Sequence, residues 1–292
     1  MEDLQGKTVL LTGGNSGIGR AAAVGLAKLG ANLVLVCRNE SKARAAIEEI
    51  TRKSGNNSIE LITADLLLQR DVRKAAAQFL STHSRLSVLI NNAGTNFPSY
   101  SETEDGIERT MAVNYFAPFL LTNLLLDVLE KTGHSRVVNV SSVGHFSAHL
   151  ALDNLARDKR MGTYGIGAYS RSKLALILFT YELARHLQGK TVSANCLHPG
   201  AVRTNIWSHA GTMTPIMRLA SLFMKSARDG ARTIIYLASS PEVEGVSGKY
   251  FDNCRQVPTS EESYNESLAS RLWEMSLRIT HLGPADNPVV NP

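Results

Sequence analysis

The chain has 292 residues, 43% of them hydrophobic and 20% charged, with a net charge of +5. This composition is typical of a globular protein. The basic residues are scattered, and the densest run, "ARDKR" at 156–160, also contains an acid, so we expect no nucleic-acid partner. The three cysteines, Cys37, Cys196 and Cys254, have no CxxC spacing, which favours reduced thiols.

No apolar span precedes the first predicted strand in "MEDLQGKTVLLTGG". We therefore expect a cytoplasmic protein with no signal peptide and no membrane span. A glycosylation sequon occurs at Asn139, but it lies inside a predicted buried strand where no glycan could fit. The sequence thus argues against a secreted protein.

Short, continuously apolar segments alternate with helical patterns over some 200 residues. They are "KTVLLT" (7–12), "NLVLVC" (32–37), "IELITA" (59–64), "LSVLIN" (86–91), "RVVNVS" (136–141) and "TVSANCL" (191–197). Such strands are covered by helices on both faces. The pattern predicts an α/β protein: a single-domain Rossmann-type, doubly wound parallel sheet of about seven strands flanked by helices. We expect the domain to span 1–253, with a C-terminal extension, 254–292, packed on it.

A glycine-rich turn, "TGGNSGIG" at 12–19, joins the first strand to a helix. Gly13, Gly17 and Gly19 would let the turn tighten and the backbone approach a pyrophosphate, which the helix N-terminus would also attract. A plain tight turn is the alternative, but its place inside a βαβ unit favours a dinucleotide site. The residues expected to bind the cofactor here are Gly13, Asn15, Ser16, Gly17, Ile18 and Gly19.

The end of the second strand bears on the choice between NAD(H) and NADP(H). An acid at this point usually binds the ribose 2′-hydroxyl of NAD. Here the neutral Cys37 is followed by Arg38, with Lys42 one turn later, although Glu40 is an acid close by. Because a guanidinium binds a phosphate bidentately, we expect the cofactor to be NADP(H).

Two further strand ends carry candidate cofactor contacts. Asp65, after the third strand, could accept a hydrogen bond from the adenine amino group, with Leu66 beside it. "NNAG" at 91–94 would place Asn92, Ala93 and Gly94 beside the nucleotide. Either segment alone is more often a helix cap or a strand terminator. Both, however, fall at the edge where open α/β sheets bind ligands.

Three polar side chains are expected to meet at the same edge: Ser142 after the fifth strand, and Tyr169 and Lys173 on the following helix. Positions i and i+4 share a helix face. A positive charge about 4 Å from the phenol is worth roughly 4 kcal/mol at an effective dielectric near 20. That would bring the tyrosine pKa near 7, where a general acid or base works best. Ser142 would stabilise charge on a carbonyl oxygen, and Asn114 would hold a water leading to Lys173.

These segments together resemble the short-chain dehydrogenase/reductase family. The matching motifs are "TGGNSGIG", "NNAG", "VNVSS", "YSRSK" and "HPG", in that order over nearly the whole chain. The resemblance implies that Ser142, Tyr169 and Lys173 form a catalytic triad with Asn114 as its fourth member. It also implies that Lys173 holds the nicotinamide ribose, and that Pro199, Gly200 and Thr204 line the nicotinamide.

The stretches "SRSKLALILFTYELARHLQG", "SGKYFDNC" and "RLWEMS" resemble the retinol dehydrogenase branch more narrowly. That branch prefers NADP(H) and acts on retinoids and other apolar aldehydes or ketones. The chain departs from it in two ways. The membrane-anchoring segment common at the start of branch members is not seen, and the segment between Ser142 and Tyr169 is long.

Other segments bear on substrate and partners. The Met- and Leu-rich region at about 201–230 is interpreted as a flap over an apolar substrate, or alternatively as a buried helix pair.

His145 and His149 lack a third ligand, so no metal is expected. The apolar helix 174–181 needs cover from a second subunit, giving a homodimer, or from the C-terminal tail. In that tail Leu268, Leu272 and Met275 have helical spacing.

The sequence therefore predicts an NADPH-dependent carbonyl reductase, reversibly an alcohol dehydrogenase, for a small hydrophobic carbonyl or alcohol substrate. A steroid- or polyketide-type ketoreductase is an alternative within enzymes. A dinucleotide-sensing binding protein on the same fold is the non-enzyme alternative, since fold does not fix function.

Overall fold

The chain folds around one eight-stranded sheet in a computed structural model that describes residues 2–200 and 226–283. The strands are β1 (Thr8–Thr12), β2 (Asn32–Cys37), β3 (Ile59–Thr63), β4 (Val88–Asn91), β5 (Ser135–Val140), β6 (Val192–Leu197), β7 (Tyr250–Asp252) and β8 (Arg255–Gln256). Their order across the sheet is β3-β2-β1-β4-β5-β6-β7-β8. Because the order reverses between β1 and β4, a crevice for ligands is expected where these two strands end.

The predicted α/β class and doubly wound parallel sheet are confirmed. Strands β1 to β7 are parallel, and the additional β8 is antiparallel to β7. The two-residue turn between β7 and β8 has Asn253 at φ 48° and Cys254 at φ 63°. Positive φ at both positions suits a tight hairpin. This short hairpin is why the strand count exceeds the predicted seven.

Helices cover both faces of the sheet. They are α1 (Gly17–Lys28), α2 (Glu40–Ser54), α3 (Gln69–Thr82), α4 (Arg109–Met111), α5 (Ala117–Leu124), α6 (Leu126–Thr132), α7 (Ile166–His186), α8 (Ala227–Ser239) and α9 (Glu266–Ile279). A π-helix, Ala112–Phe116, connects α4 to α5, and a 3₁₀ helix, Val143–Ser147, follows β5.

The core has two main layers because successive strand residues point to opposite faces. On one face Val9 and Leu11 pack with α1, α2 and α8. On the other, Leu10 packs with α3, α5 and α7. Continuously apolar strands thus bury both faces, as the sequence pattern indicated.

Helix α7 is buried from Ala168 to Leu183 within a single chain. The sheet covers one side, and α9 lies against the helix through Trp273, whose ring centroid is 5.7 Å from that of Phe179. Leu272 of α9 is buried, while Leu268 and Met275 are partly buried against the same core. Of the two covers considered for this helix, the tail is therefore the one seen in the structure. A homodimer stays a prediction.

Within the described parts of the chain, no single helix is both long and apolar enough to cross a bilayer. The bent pair 109–124 and 126–132 meets the length and composition test jointly, and its apolar side chains lie in the core. The predicted flap at about 201–230 falls mostly on 201–225, outside the described residues, and its last residues begin α8.

Candidate active site

The glycine-rich turn between β1 and α1 has a shape that only glycines allow. Gly13 has φ +70° and Gly17 has φ +52°, in the left-handed region. A Cβ on Gly19 would lie 2.2 Å from the carbonyl oxygen of Gly13, whereas one on Gly17 would meet no described atom within 4 Å. The turn is therefore packed on one side and open on the other, as a cradle for a pyrophosphate requires.

The start of α1 adds hydrogen-bond donors to this open side. Ser16 is the N-cap residue, and its hydroxyl makes no capping bond to the helix. The first backbone N–H groups of a helix, here from Gly17, Ile18 and Gly19, have no intrahelical acceptor. Together with the helix dipole, these groups suit an anion. The turn thus fits the phosphates of a dinucleotide.

Thr12, which the sequence reading did not select, joins the two turns predicted to hold the nucleotide. Its hydroxyl oxygen accepts the backbone N–H groups of Asn92 and Ala93, each at 3.0 Å. The Asn92 amide nitrogen donates to the carbonyls of Thr12 (2.9 Å) and Gly13 (3.3 Å). The "NNAG" turn therefore packs on the glycine turn, and the Asn92 amide group braces the protein backbone. Because both hydrogens of this amide nitrogen are used within the protein, the predicted contact of Asn92 with the nucleotide would have to be made by another of its atoms.

At the adenosine end, Arg38 and Asp65 lie together. The side chain of Arg38 is 62% exposed, and its guanidinium is 3.9 Å from the Asp65 carboxylate. Glu40, the acid that could have competed for Arg38, pairs with Arg44 at 2.7 Å. Lys42 is exposed on the first turn of α2. Two exposed basic side chains, Arg38 and Lys42, thus lie beyond the end of β2, where they could bind an anionic group.

Two neighbours of Arg38 and Asp65 in the sequence, Cys37 and Leu66, are turned towards the protein interior. The Cys37 thiol accepts backbone N–H groups from Gly14 and Asn15 of the glycine turn, and burial raises its pKa to about 11. It supports the turn as an uncharged group. Leu66 is partly buried against the core, so its contact with a nucleotide would be through its exposed part only.

The Ser142, Tyr169 and Lys173 side chains meet at the carboxyl ends of the strands, as expected. The Ser142 side chain lies close enough to the Tyr169 phenol to lower its pKa. The Ser142 oxygen also accepts the N–H of Gly144 at 3.2 Å. Lys173 Nζ lies 5.7 Å from the centroid of the Tyr169 ring.

The predicted electrostatics of this group need correction. Burial raises the pKa of Tyr169, and the neighbouring Ser142 side chain offsets part of that rise. Lys173 Nζ donates at 2.8 Å to the carbonyl oxygen of Val140, and burial lowers the lysine pKa to about 8. The expectation that Lys173 brings the phenol pKa near 7 is therefore wrong for the chain alone. The ammonium faces a backbone carbonyl and desolvation outweighs the attraction.

Asn114 lies at the centre of the π-helix and is fully buried. Its Oδ1 accepts the Thr95 N–H at 2.8 Å, and its Nδ2 donates to Thr95 O and to Ser172 Oγ. A Cβ on Gly94 would lie 3.4 Å from Lys173 Nζ and 3.5 Å from Asn114 Oδ1. Gly94 therefore leaves the space between the two side chains open, and one lone pair of Oδ1 remains for a water.

The comparisons with known proteins agree with this geometry. The sequence model of the short chain dehydrogenase family matches residues 7–153 and 156–214. The chain belongs to the short-chain dehydrogenase family. Human retinol dehydrogenase 14 is 43% identical over 290 residues, with 94% of this chain and 86% of that protein covered. Human retinol dehydrogenase 13 is 40% identical over 286 residues, covering 96% and 86%. This short-chain dehydrogenase is accordingly an oxidoreductase acting on CH–OH groups and is similar to retinol dehydrogenases.

Solved structures of similar dehydrogenases share the fold. An uncharacterised protein from Mycobacterium paratuberculosis has a TM-score of 0.78 at 31% identity, covering 96% of each chain. A short chain dehydrogenase from Shigella flexneri complexed with NADP has a TM-score of 0.68 at 28% identity, covering 87% of this chain and 100% of that one. One from Escherichia coli complexed with NADPH also has a TM-score of 0.68 at 28% identity, covering 87% and 99%.

The "HPG" segment of the dehydrogenase follows β6 at the same edge of the sheet. Gly200 has φ +82°, and its N–H donates to His198 Nδ1 at 3.0 Å. His198 Nε2 is 3.5 Å from an Asp252 oxygen, and its ring stacks on Tyr250. Pro199 lies between the two ends of this turn. Thr204 lies outside the described residues.

Other supporting residues were also missed by the sequence reading. The Ser141 hydroxyl donates to the backbone carbonyl of Lys173 at 2.9 Å, which ties α7 to the end of β5. Asn139, the residue of the sequon, is fully buried, accepts from Asn91 and donates to Thr180. The doubled serines in "NVSS" and the paired asparagines on adjacent strands were the available signals. Over the described ranges, no three His, Cys, Asp or Glu side chains gather as a metal site.

Proposed function

We propose that the protein is an NADPH-dependent carbonyl reductase, reversibly an alcohol dehydrogenase, for hydrophobic aldehydes or ketones. The observation that carries this proposal is that Ser142, Tyr169 and Lys173 lie together at the carboxyl ends of the strands, with Lys173 Nζ 5.7 Å from the centroid of the Tyr169 ring and Ser142 beside the phenol. A binding protein that only senses a dinucleotide would have no use for a buried phenol and a buried ammonium together.

Proton transfer is assigned to Tyr169. When bound, the nicotinamide supplies the hydride that reduces the carbonyl carbon. Because burial keeps the Tyr169 phenol protonated, it can donate its proton to the substrate oxygen in the reductive direction. Gly144 donates its N–H to the Ser142 oxygen, so the single Ser142 proton stays available for donation. While Tyr169 is protonated, that proton would go to the substrate oxygen, where negative charge develops.

Lys173 and Asn114 are proposed to resupply that proton. With a pKa of about 8, Lys173 can exchange a proton near neutrality, unlike a lysine in water. The space beside Gly94 connects its Nζ to Asn114 Oδ1, where a water would receive a second hydrogen bond. Lys173 would also bind the nicotinamide ribose, and Pro199, Gly200 and Thr204 would line the nicotinamide.

The preference for NADP(H) over NAD(H) is a separate part of the proposal. It is supported by the exposure of Arg38 and Lys42 beyond β2, and by the pairing of Glu40 with Arg44. The similar dehydrogenases from Shigella flexneri and Escherichia coli bind NADP and NADPH, respectively. The pyrophosphate would lie against the turn from Gly13 to Gly19, and Asp65 would accept from the adenine amino group.

An apolar substrate is supported by the segment between Ser142 and Tyr169. Val143, Phe146, Tyr164 and Ile166 are all exposed in it, which is unusual for side chains of this size. The similar human proteins are named retinol dehydrogenases. The deciding experiment is NADPH oxidation with a panel of aldehydes and ketones, including retinaldehyde, steroid and polyketide ketones, and with NADH in parallel. No turnover of any carbonyl would exclude the reductase.

A further inference from the structure

His145, three residues after Ser142, turns inward from the 3₁₀ helix and is fully buried. Its ring Nδ1 lies 2.7 Å from the carbonyl oxygen of Ser142, and its backbone N–H reaches the same oxygen at 3.3 Å. The ring lies between two aromatic neighbours, 4.1 Å from Phe146 and 5.1 Å from Tyr250 between centroids. The imidazole is therefore held in one orientation.

The chemistry of this contact defines the tautomer. A carbonyl oxygen only accepts hydrogen bonds, so Nδ1 must carry the proton. Among the described residues Nε2 has no hydrogen-bond partner. Burial lowers the pKa of His145, which keeps the ring neutral with Nε2 bare. A buried neutral histidine that donates its one ring N–H to a backbone carbonyl can hold that part of the backbone in place.

Ser142 needs such support, because its side chain interacts with two neighbours at the proposed reaction centre. Its oxygen accepts the N–H of Gly144, and its side chain lowers the pKa of the Tyr169 phenol beside it. Strand β5 ends at Val140, and the Ser141 N–H still donates to the Leu197 carbonyl at 2.7 Å, so Ser142 is the first residue beyond the sheet. We propose that His145 is a positioning residue that holds the Ser142 carbonyl through Nδ1–H, so that the serine hydroxyl stays directed at the Tyr169 phenol and the substrate oxygen.

The inference rests on the proposed function and is tested by three variants. His145→Leu removes the donor, and His145→Asn keeps an amide N–H near the position of Nδ1. His149→Leu is the matched control, since His149 is four residues away, exposed and paired at the surface with Glu262. A displacement of about 1 Å at a reacting group costs on the order of 100-fold.

We expect His145→Leu to lower kcat about 10- to 100-fold with the KM for NADPH unchanged, and His145→Asn to recover most of the loss. In alcohol oxidation, kcat is expected to rise with pH as Tyr169 loses its proton. In His145→Leu this rise should occur at a higher pH, because the interaction with Ser142 that lowers the Tyr169 pKa is weakened. Equal kcat in all four proteins would overturn the inference, as would equal losses in the Leu and Asn variants.

A second measurement does not depend on turnover. The NMR spectrum of wild-type protein labelled with ¹⁵N-histidine reports the tautomer of each imidazole. The signal of His145 is assigned as the one lost in His145→Asn, and it should show a neutral ring with the proton on Nδ1. An Nε2–H tautomer would overturn the inference whatever the activity. If Tyr169→Phe is inactive while His145→Leu retains full kcat, this inference fails and the proposed function stands. An inactive wild type would instead remove the proposed function.

Discussion

Lys173 and Val140 join the catalytic helix to the sheet: Lys173 Nζ donates to the Val140 carbonyl at 2.8 Å. The adjacent Ser141 returns a hydrogen bond to the Lys173 carbonyl. The ammonium is thus buried with a backbone acceptor, and burial is the cause of its lowered pKa. Keeping the charge in this environment lowers the stability of the folded chain.

This cost predicts a pH-dependent stability. The lysine pKa falls from 10.5 to about 8 in the folded chain, which corresponds to about 3 kcal/mol at 1.36 kcal/mol per unit. Between about pH 8 and pH 10.5 the unfolded chain binds more protons than the folded chain, so stability rises with pH across that window. We expect Lys173→Met to be more stable than the wild type at pH 7, with a smaller gap at pH 10. Urea denaturation at both pH values measures this, and a gap independent of pH would contradict it.

The second prediction concerns Tyr169. Tyr169→Phe removes the proton donor and should lower kcat by at least about 100-fold, while NADPH binding changes little. NADPH fluorescence titration and steady-state kinetics separate the two effects. Tyr181→Phe is the control on the same helix, since its hydroxyl bonds to Thr259. Unchanged turnover in Tyr169→Phe would remove this residue from the mechanism.

The third prediction concerns cofactor choice. Arg38→Ala should weaken NADPH binding about 10- to 100-fold, the effect of losing a charge-assisted hydrogen bond, with little change for NADH. Arg52→Ala is the control, because Arg52 is an exposed arginine in the last turn of the same helix, α2, far from the end of β2. Dissociation constants for both cofactors measure the effect. An equal loss for NADH and NADPH would show that Arg38 does not bind the 2′-phosphate.

The fourth prediction concerns the cover on α7. Trp273 is 4% exposed and contacts Phe119, Phe179 and His186. Trp273→Ala should lower the free energy of unfolding by about 3–5 kcal/mol because it leaves a cavity. Glu274→Ala, an exposed neighbour on α9, should change it little. Chemical denaturation tests both variants, and a loss below 1 kcal/mol for Trp273→Ala would show that α9 contributes little.

Size-exclusion chromatography of the wild type at several concentrations tests the homodimer predicted from the apolar α7. Because α9 already buries the outer side of this helix, we expect α7 to need no second subunit for cover. A concentration-dependent dimer would place its interface elsewhere on the surface or show that α9 moves aside.

The amino-acid sequence was sufficient to predict strands β1 to β6, the glycine turn and the spacing of Tyr169 and Lys173. These depend on neighbours within about one helical turn or one βαβ unit, where apolar runs and missing Cβ atoms restrict the backbone directly. The same locality explains why Ser142 was found: it follows a strand whose end is visible in the sequence.

The hydrogen-bond partner of each polar group depends on the tertiary structure and could not be predicted from the sequence. Lys173 bonds to Val140 rather than to Tyr169, Asn92 braces the glycine turn, and α9 covers α7. These contacts join residues 33, 80 and 94 positions apart along the chain, and their energies depend on burial, which no local pattern encodes. Desolvation therefore reversed the pKa direction expected for Tyr169, because it depends on everything packed around the phenol.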